Sequence, residues 1–151
     1  MATTITPADP ADLPAILDLL TQHGLPHAGL AQHMDAALVA RDGAAIIGSA
    51  ALERYGDAAL LRSVAVAPAR RGHGLGQRLT AAALDLAHRL GVRQLYLLTT
   101  TAEGYFPRFG FRPITRAEVA PAVQASAEFT GACPASAVVL ALDLPPAHVR
   151  P

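Results

Sequence analysis

The feature that most constrains the fold is a glycine-rich turn between an apolar strand and an amphipathic helix. The turn runs from Arg71 to Gly76 and follows an apolar segment that ends at Val66. Leucine and alanine side chains then recur every three or four residues, which predicts a helix, and Gly91 ends it. A second apolar strand follows over residues 95–99. A strand, a crossover helix and a further strand form a βαβ unit, so we expect two neighbouring parallel strands.

The residues before this unit predict a helix followed by an antiparallel meander. Apolar side chains at helical spacing end at Gly24, which indicates an N-terminal helix. Turns at Asp42-Gly43 and Gly56-Asp57 separate three segments with strand character. This order of elements favours the α/β (α+β) class.

The residues after the unit predict a short helical segment near residues 102–108, one strand after Phe111, a helix over residues 117–129 and a last strand over residues 137–144. No linker or internal repeat divides the chain. We therefore expect a single domain that spans residues 1–151.

Composition and charge exclude several classes of function. Twelve basic and twelve acidic side chains give a formal net charge of zero, so we expect no nucleic-acid or membrane partner. The chain contains no Lys, which excludes Schiff-base chemistry and a phosphate loop that ends in Gly-Lys. The single Cys133 and scattered His residues show no zinc-ligand spacing, so no metal is expected. Without a signal-peptide pattern or a run of about 20 apolar residues, the expected compartment is the cytoplasm.

The glycine-rich turn is suited to binding a diphosphate. Gly72, Gly74 and Gly76 carry no Cβ, so backbone N–H groups can approach an anion, and the helix N-terminus adds partial positive charge. The alternative is a tight strand-to-helix connection with solvated arginines. A dinucleotide-binding unit is disfavoured, because Gln77 stands where the third glycine of Gly-x-Gly-x-x-Gly would be.

Two motifs are similar to those of the GNAT family of N-acetyltransferases. Arg71, Gly74 and Gly76 form Arg-x-x-Gly-x-Gly after Val64-Ala-Val-Ala-Pro68, which resembles the acetyl-CoA signature of that family. Residues 102–111 resemble its second signature, which ends in Gly-Phe. The resemblance implies one N-acetyltransferase domain with acetyl-CoA as cosubstrate. It also implies a mixed central sheet with helices on both faces, whose two central parallel strands splay apart to admit the donor.

The resemblance assigns the donor to the backbone of the strand before the turn and to the turn itself. The residues it implies as contacts of acetyl-CoA are Val64, Ala65, Val66, Arg71, Gly72, His73, Gly74, Leu75, Gly76, Gln77 and Phe106. In the usual scheme of the family the amine attacks the thioester directly, and a backbone N–H, here that of Val64, stabilises the oxyanion.

The general acid and base are less clearly indicated. The family places a Tyr four residues before the glycine of the second motif, but Phe106 stands there and Tyr105 precedes it. One residue on a helix rotates a side chain by about 100°, so Tyr105 or water remains as the acid. Glu53 and Glu103 are candidate bases, with an ordinary surface carboxylate as the alternative for each.

Four residues are predicted to contact the acceptor: Arg62, Ser63, Thr99 and Thr100. An Arg in an apolar strand is costly unless it is paired. Arg62 therefore either forms an ion pair with Glu53 or Asp57 or clamps a carboxylate of the substrate. These two threonines and the following Thr101 could orient an amine or a carboxylate, although strand propensity also explains them.

A narrower likeness concerns three segments. Residues 61–66, 95–101 and 133–137 resemble amino-acid N-acetyltransferase-like proteins associated with arsenic-resistance operons. The end of the chain resembles, more loosely, the domain that makes N-acetylglutamate. The likeness implies a small-molecule amine acceptor, an amino acid or its analogue, and a role in arsenic or antimetabolite resistance. A homodimer is compatible with such a function. The alternatives are a non-catalytic acyl-CoA sensor and a nucleotide-binding domain.

Overall fold

The computed structural model describes residues 3–100, 102–133 and 136–145. Its strands are β1 (Thr4–Pro7), β2 (Ala37–Asp42), β3 (Ala45–Tyr55), β4 (Ala58–Val66), β5 (Gln94–Thr99), β6 (Arg112–Ile114) and β7 (Val138–Asp143). In the described chain they form one sheet in the order β1-β2-β3-β4-β5-β7-β6. β4 and β5 are parallel and the other neighbours are antiparallel, so the predicted mixed sheet is confirmed.

Two α-helices cover opposite faces of this sheet, as expected. α1 (Leu13–His23) ends at Gly24, whose φ of 64° is left-handed, and buries its apolar side against β2 and β3. α2 (Leu75–Arg89) packs its leucine and alanine stripe on the other face, against β3, β4 and β5. Both helices end within two residues of the glycines that predicted their ends, and α2 begins directly after Gly74.

The segment between β6 and β7 departs from the sequence prediction. The helix expected over residues 117–129 is wrong, because the chain forms short 3-10 turns at Arg116–Glu118 and Val123–Ala125 and a single π turn at Glu128–Ala132. Pro121 prevents a continuous helix. Val119 and Val123 still pack against Leu60 and Tyr96. The apolar side chains of this segment are therefore buried, although the segment is not an α-helix.

Two smaller elements also differ from expectation. β1 was not predicted; it pairs with β2 from Thr4 opposite Arg41 to Pro7 opposite Leu38, at an edge position that tolerates proline. The helical segment expected near residues 102–108 is a 3-10 helix over Phe106–Phe109. None of the helices in residues 3–145 that the structure describes is long and apolar enough to span a membrane.

The core beneath α2 gives a first prediction. Leu79 is fully buried, whereas Leu90 at the end of the same helix is 38% exposed. Leu79→Ala should lower the free energy of unfolding by about 2–5 kcal/mol, because it leaves a cavity that the sheet cannot fill. Leu90→Ala should change it by less than about 0.5 kcal/mol. Urea unfolding of both variants checks this, and equal losses would contradict the packing described here.

Candidate active site

A cavity of about 470 Å³ lies between β4 and β5. The two strands pair from Ala58 opposite Gln94 to Leu60 opposite Tyr96, and within the described strands the pairing stops there. Residues 61–66 of β4 and 97–100 of β5 line the opening. The volume is in the range of small-molecule sites, about 300–1,000 Å³. The predicted splay between the parallel strands is thus present.

A β-bulge at Ser63 shapes the β4 wall of the cavity. Among the described residues, Ser63 is the one non-glycine residue with positive φ, at 60°. The β3 register shifts between Ser49 and Ala51, so that one residue of β3 lies opposite both Ser63 and Val64. Ser49 Oγ donates to the Ser63 carbonyl at 2.7 Å. A left-handed non-glycine residue stores about 1–3 kcal/mol of strain, and bulges redirect backbone groups beside functional sites. The oxyanion role of Val64 stays a prediction.

The glycine-rich turn places the N-terminus of α2 beside the cavity. Gly72 and Gly74 have φ of 82° and 76°, in the left-handed region that favours glycine. Because the helix begins at Leu75, the N–H groups of Leu75, Gly76 and Gln77 have no acceptor within the helix. These donors and the helix dipole favour an anion. Leu75 contributes only backbone here, since its side chain lies in the core, whereas Gly76 lines the cavity.

His23, which the sequence did not single out, joins this turn to β4. Its Nε2 lies 2.7 Å from the Val66 carbonyl, and its Nδ1 lies 3.0 Å from Arg71 Nη2. The carbonyl can only accept and the guanidinium can only donate, so these contacts fit the neutral ring with its proton on Nε2. His23 holds Arg71 at the turn. By contrast, His73 is exposed and contacts only the Arg70 carbonyl, at 3.3 Å, among the described contacts.

Arg62 lies at the other end of the cavity, with a side chain that is 0% exposed. Its Nη1 donates to Glu53 Oε2 and to the Ala28 carbonyl, both at 2.6 Å, and its Nη2 donates to the Pro26 carbonyl at 2.9 Å. Its Nε donates to Ser63 Oγ at 3.1 Å and forms an ion pair with Glu128, whose Oε2 lies 3.3 Å away. The ion pair with Glu53 is therefore present. A guanidinium has five N–H groups, so at most one is left for a ligand.

This network limits what Arg62 can offer to a substrate. A two-point contact with a carboxylate would require Arg62 to release one of its protein partners. Its role in binding the acceptor stays a prediction.

The two carboxylates around Arg62 differ in pKa. Burial opposes ionisation of Glu53, but hydrogen bonds from Tyr55, Arg62 and Ser126 outweigh it and hold its pKa below the usual value. Burial raises the pKa of Glu128 to about 7, against the opposing charge of Arg62. Glu128 lines the cavity, whereas Glu53 lies behind Arg62 and is 1% exposed. The sequence had pointed to Glu53 and missed Glu128.

The aromatic pair lies near the α2 end of the cavity. Phe106, at the family position of the tyrosine, is buried and packs edge-on against Phe111 with ring centroids 5.9 Å apart. The Tyr105 hydroxyl lies 3.9 Å from the point where a Cβ on Gly76 would stand. The same point is 3.6 Å from the Val66 side chain. Val66 follows Arg62 by four residues, which corresponds to roughly 13 Å of extended strand. Tyr105 is thus placed beside the turn and away from Arg62.

The remaining candidates lie at different depths. Thr99 and Thr100 line the cavity, and Thr99 Oγ1 accepts a hydrogen bond from the Ala102 N–H at 2.9 Å. Glu103 is exposed and contributes nothing to the cavity wall. Cys133 is half-buried and lines the cavity, with Sγ 3.7 Å from Glu128 Oε1. Burial raises the pKa of Cys133 to about 12, so it is a thiol at neutral pH.

Two further points concern the limits of the described residues and metal binding. Thr101 lies outside the described residues. Within the described parts of the chain, no group of three or more His, Cys, Asp or Glu side chains could hold a metal ion.

Comparison with known proteins agrees with this geometry. The family described as acetyltransferase (GNAT) domain matches residues 34–113. An amino-acid acetyltransferase of Aeromonas salmonicida is 38% identical over 79 residues, which are 51% of this chain and 18% of that protein. The amino-acid acetyltransferase of Mycobacterium tuberculosis is 36% identical over 70 residues, which are 46% of this chain and 40% of that protein. The matched parts are less than half of these relatives' length.

A solved structure extends the likeness to nearly the whole chain. N-acetylglutamate synthase from Neisseria gonorrhoeae, complexed with coenzyme A and N-acetyl-glutamate, superposes with a TM-score of 0.81 and 25% sequence identity. The match covers 95% of this chain and 35% of that one.

The turn gives a prediction about donor binding. Gly74→Val should abolish most of the rise in melting temperature that acetyl-CoA causes in the unchanged protein, because a β-branched residue resists the φ of 76° that presents the helix N-terminus. Differential scanning fluorimetry with and without acetyl-CoA measures this rise.

Gly91→Val is the matched control, because Gly91 has φ of 84° at the opposite end of α2 and equally open surroundings. Each substitution should cost roughly 1–2 kcal/mol of stability. Only the Gly74 variant should lose the response to acetyl-CoA, and an unchanged response would show that the turn does not hold the donor.

Proposed function

The chain belongs to the acetyltransferase (GNAT) domain family, and we propose that it transfers the acetyl group of acetyl-CoA to the amine of an amino acid or an amino-acid analogue. The cavity between β4 and β5 carries the proposal, because its two ends differ in chemistry. Free helical N–H groups at one end suit the diphosphate of the donor. A buried guanidinium with two carboxylates at the other end suits an acceptor that carries both an ammonium and a carboxylate group.

Direct attack of the amine on the thioester fits the groups around the cavity. The neutral amine forms a C–N bond with the thioester carbon, and the carbonyl electrons move onto oxygen near the Val64 N–H. Collapse then breaks the C–S bond, and the thiolate leaves with the electron pair and takes up a proton. A covalent route through Cys133 is disfavoured, because a thiol with a pKa of about 12 is a poor nucleophile at neutral pH.

Several observations favour an amino-acid acceptor. Arg62 supplies positive charge and at most one N–H, while hydroxyls line both walls of the cavity, from Ser63 on the β4 wall and from Thr99 and Thr100 on the β5 wall. The curated relatives are named amino-acid acetyltransferases, and the solved relative holds N-acetyl-glutamate. The resemblance to proteins of arsenic-resistance operons extends the proposal to arsinic and phosphinic analogues of glutamate and to a role in resistance.

The acceptor class is tested with pairs of substrates. We expect kcat/KM for glutamate to exceed that for 4-aminobutyrate, its decarboxylated amine, by roughly 10- to 150-fold, since a hydrogen bond to a charged group is worth about 1.5–3 kcal/mol. Release of free CoA thiol measures the rate. The panel also contains the arsinic and phosphinic analogues of glutamate, a polyamine and an aminoglycoside.

The outcomes of this screen are distinct. An amine that equals or exceeds the amino acid would refute the acceptor class. Binding of acetyl-CoA without transfer to any amine would refute the enzymatic function and favour an acyl-CoA sensor.

Tyr105 gives a prediction about the general acid. Because its hydroxyl lies beside Gly76 rather than near Arg62, Tyr105→Phe should lower kcat only a few-fold, with water protonating the thiolate. Tyr96→Phe is the control, since that hydroxyl donates to Gln94. A fall of about 10²-fold or more in kcat for Tyr105→Phe, with KM unchanged, would instead identify Tyr105 as the acid.

A further inference from the structure

We propose that Glu128 is the general base that takes the proton from the ammonium group of the acceptor, directly or through one water molecule. This role rests on the proposed transferase function. The sequence did not indicate this role for Glu128. Its segment was expected to be helical, and nothing in the sequence placed it beside the cavity.

The position of Glu128 is the first support. It lines the cavity at the end that holds Arg62, Ser63 and Cys133, on the segment that closes the acceptor side. Its side chain is 5% exposed and lines the cavity that would hold the acceptor. Arg62 Nε contacts one carboxylate oxygen at 3.3 Å, and the Cys133 thiol contacts the other at 3.7 Å. These contacts hold the carboxylate in place.

The other candidate bases fit less well. Glu53 accepts hydrogen bonds from Tyr55 at 2.7 Å and Arg62 at 2.6 Å and is separated from the cavity by the guanidinium. Glu103 is exposed in a turn. His23 lines the cavity, but it is engaged by Val66 and Arg71 at the donor end. Among the described residues, Glu128 is the one carboxylate in the cavity wall.

The proton balance of the reaction is complete with this residue. The ammonium gives one proton to the Glu128 carboxylate, and the resulting neutral amine attacks the thioester. The nitrogen of the tetrahedral adduct loses its second proton as the C–S bond breaks, and the CoA thiolate ends as a thiol. Glu128 then returns its proton to solvent, so one proton is released for each acetyl group transferred.

The charges that face Glu128 tune it for this step. Arg62 on β4 favours its ionised form, Glu53 on β3 opposes it, and Cys133 on its own segment donates a hydrogen bond to it. Burial is the largest influence, and the resulting pKa of about 7 is close to the pH at which a general base works best. An exposed glutamate would be a weaker base by more than two pKa units.

The test compares pH profiles of the unchanged protein and Glu128→Gln. In the unchanged protein, kcat/KM for the acceptor should rise with pH as a group of pKa about 7 loses its proton. We call this part of the pH profile the limb near pH 7. In Glu128→Gln, kcat/KM should be lower by roughly 10²–10⁴-fold at pH 7 and rise tenfold per pH unit up to the pKa of the acceptor amine, because only neutral amine then reacts. The deficit should therefore shrink at high pH. A structural role would lower the rate equally at every pH.

Glu53→Gln is the matched control, because it makes the same change on the other partner of the same guanidinium. It should lower the melting temperature and keep the limb, shifted to lower pH because the charge of Glu53 no longer raises the pKa of Glu128. Glu128→Asp, which retains a carboxylate, should restore that limb at a reduced rate. The rise in melting temperature with acetyl-CoA should be the same in Glu128→Gln as in the unchanged protein, which shows that the fold and the donor end are intact.

The outcomes separate the two proposals. If transfer proceeds and Glu128→Gln keeps the limb near pH 7, or if Glu53→Gln loses it, the role of Glu128 is wrong and the transferase function stands. If the unchanged protein acetylates no amine in the panel, the proposed function fails and this role fails with it. Loss of the limb in Glu128→Gln alone supports both.

Discussion

A buried guanidinium organises the end of the cavity that we propose for the acceptor. Arg62 is shielded from water, and an unpaired buried charge costs several kcal/mol, so its N–H groups have to find acceptors within the protein. Hydrogen-bond acceptors come from the loop after α1, from β3 and from Ser63 on β4 itself, and the segment after β6 adds the carboxylate of Glu128. Removing Arg62 would leave Glu53 and Glu128 facing each other without a cation. The wall of the cavity therefore depends on one side chain.

The other end of the cavity, which we propose for the donor, is built from backbone rather than from side-chain charge. The end of strand pairing after Leu60, the bulge at Ser63 and the left-handed glycines before Leu75 are all features of main-chain geometry. They follow one another within about 15 residues of a single βαβ unit. The side chains at this end include His23, which contacts Arg71 and the Val66 carbonyl, and the aromatic pair Tyr105 and Phe106. Anion binding of this kind is local, and it does not need distant segments to be positioned.

This difference explains what could be predicted from the sequence. The βαβ unit, its glycine-rich turn and the splayed strands were predictable because spacing and turn chemistry are local signals. The sequence indicated Glu53 and Asp57 as possible partners of Arg62. Choosing between them required the register of β3 against β4. Glu128 could not be found, because its position depends on a segment without regular structure. The apolar spacing of Val119 and Val123 suggested a helix, whereas those residues serve only to anchor that segment on the sheet.

The contacts of Arg62 also have a consequence for how this part of the chain opens. The Pro26 and Ala28 carbonyls precede Arg62 by 36 and 34 residues, and Glu128 follows it by 66. Neither segment belongs to a strand of the sheet, and both contact the same buried side chain. Displacing either segment exposes part of a buried ion-pair network to water, so we expect the two segments to open together rather than independently.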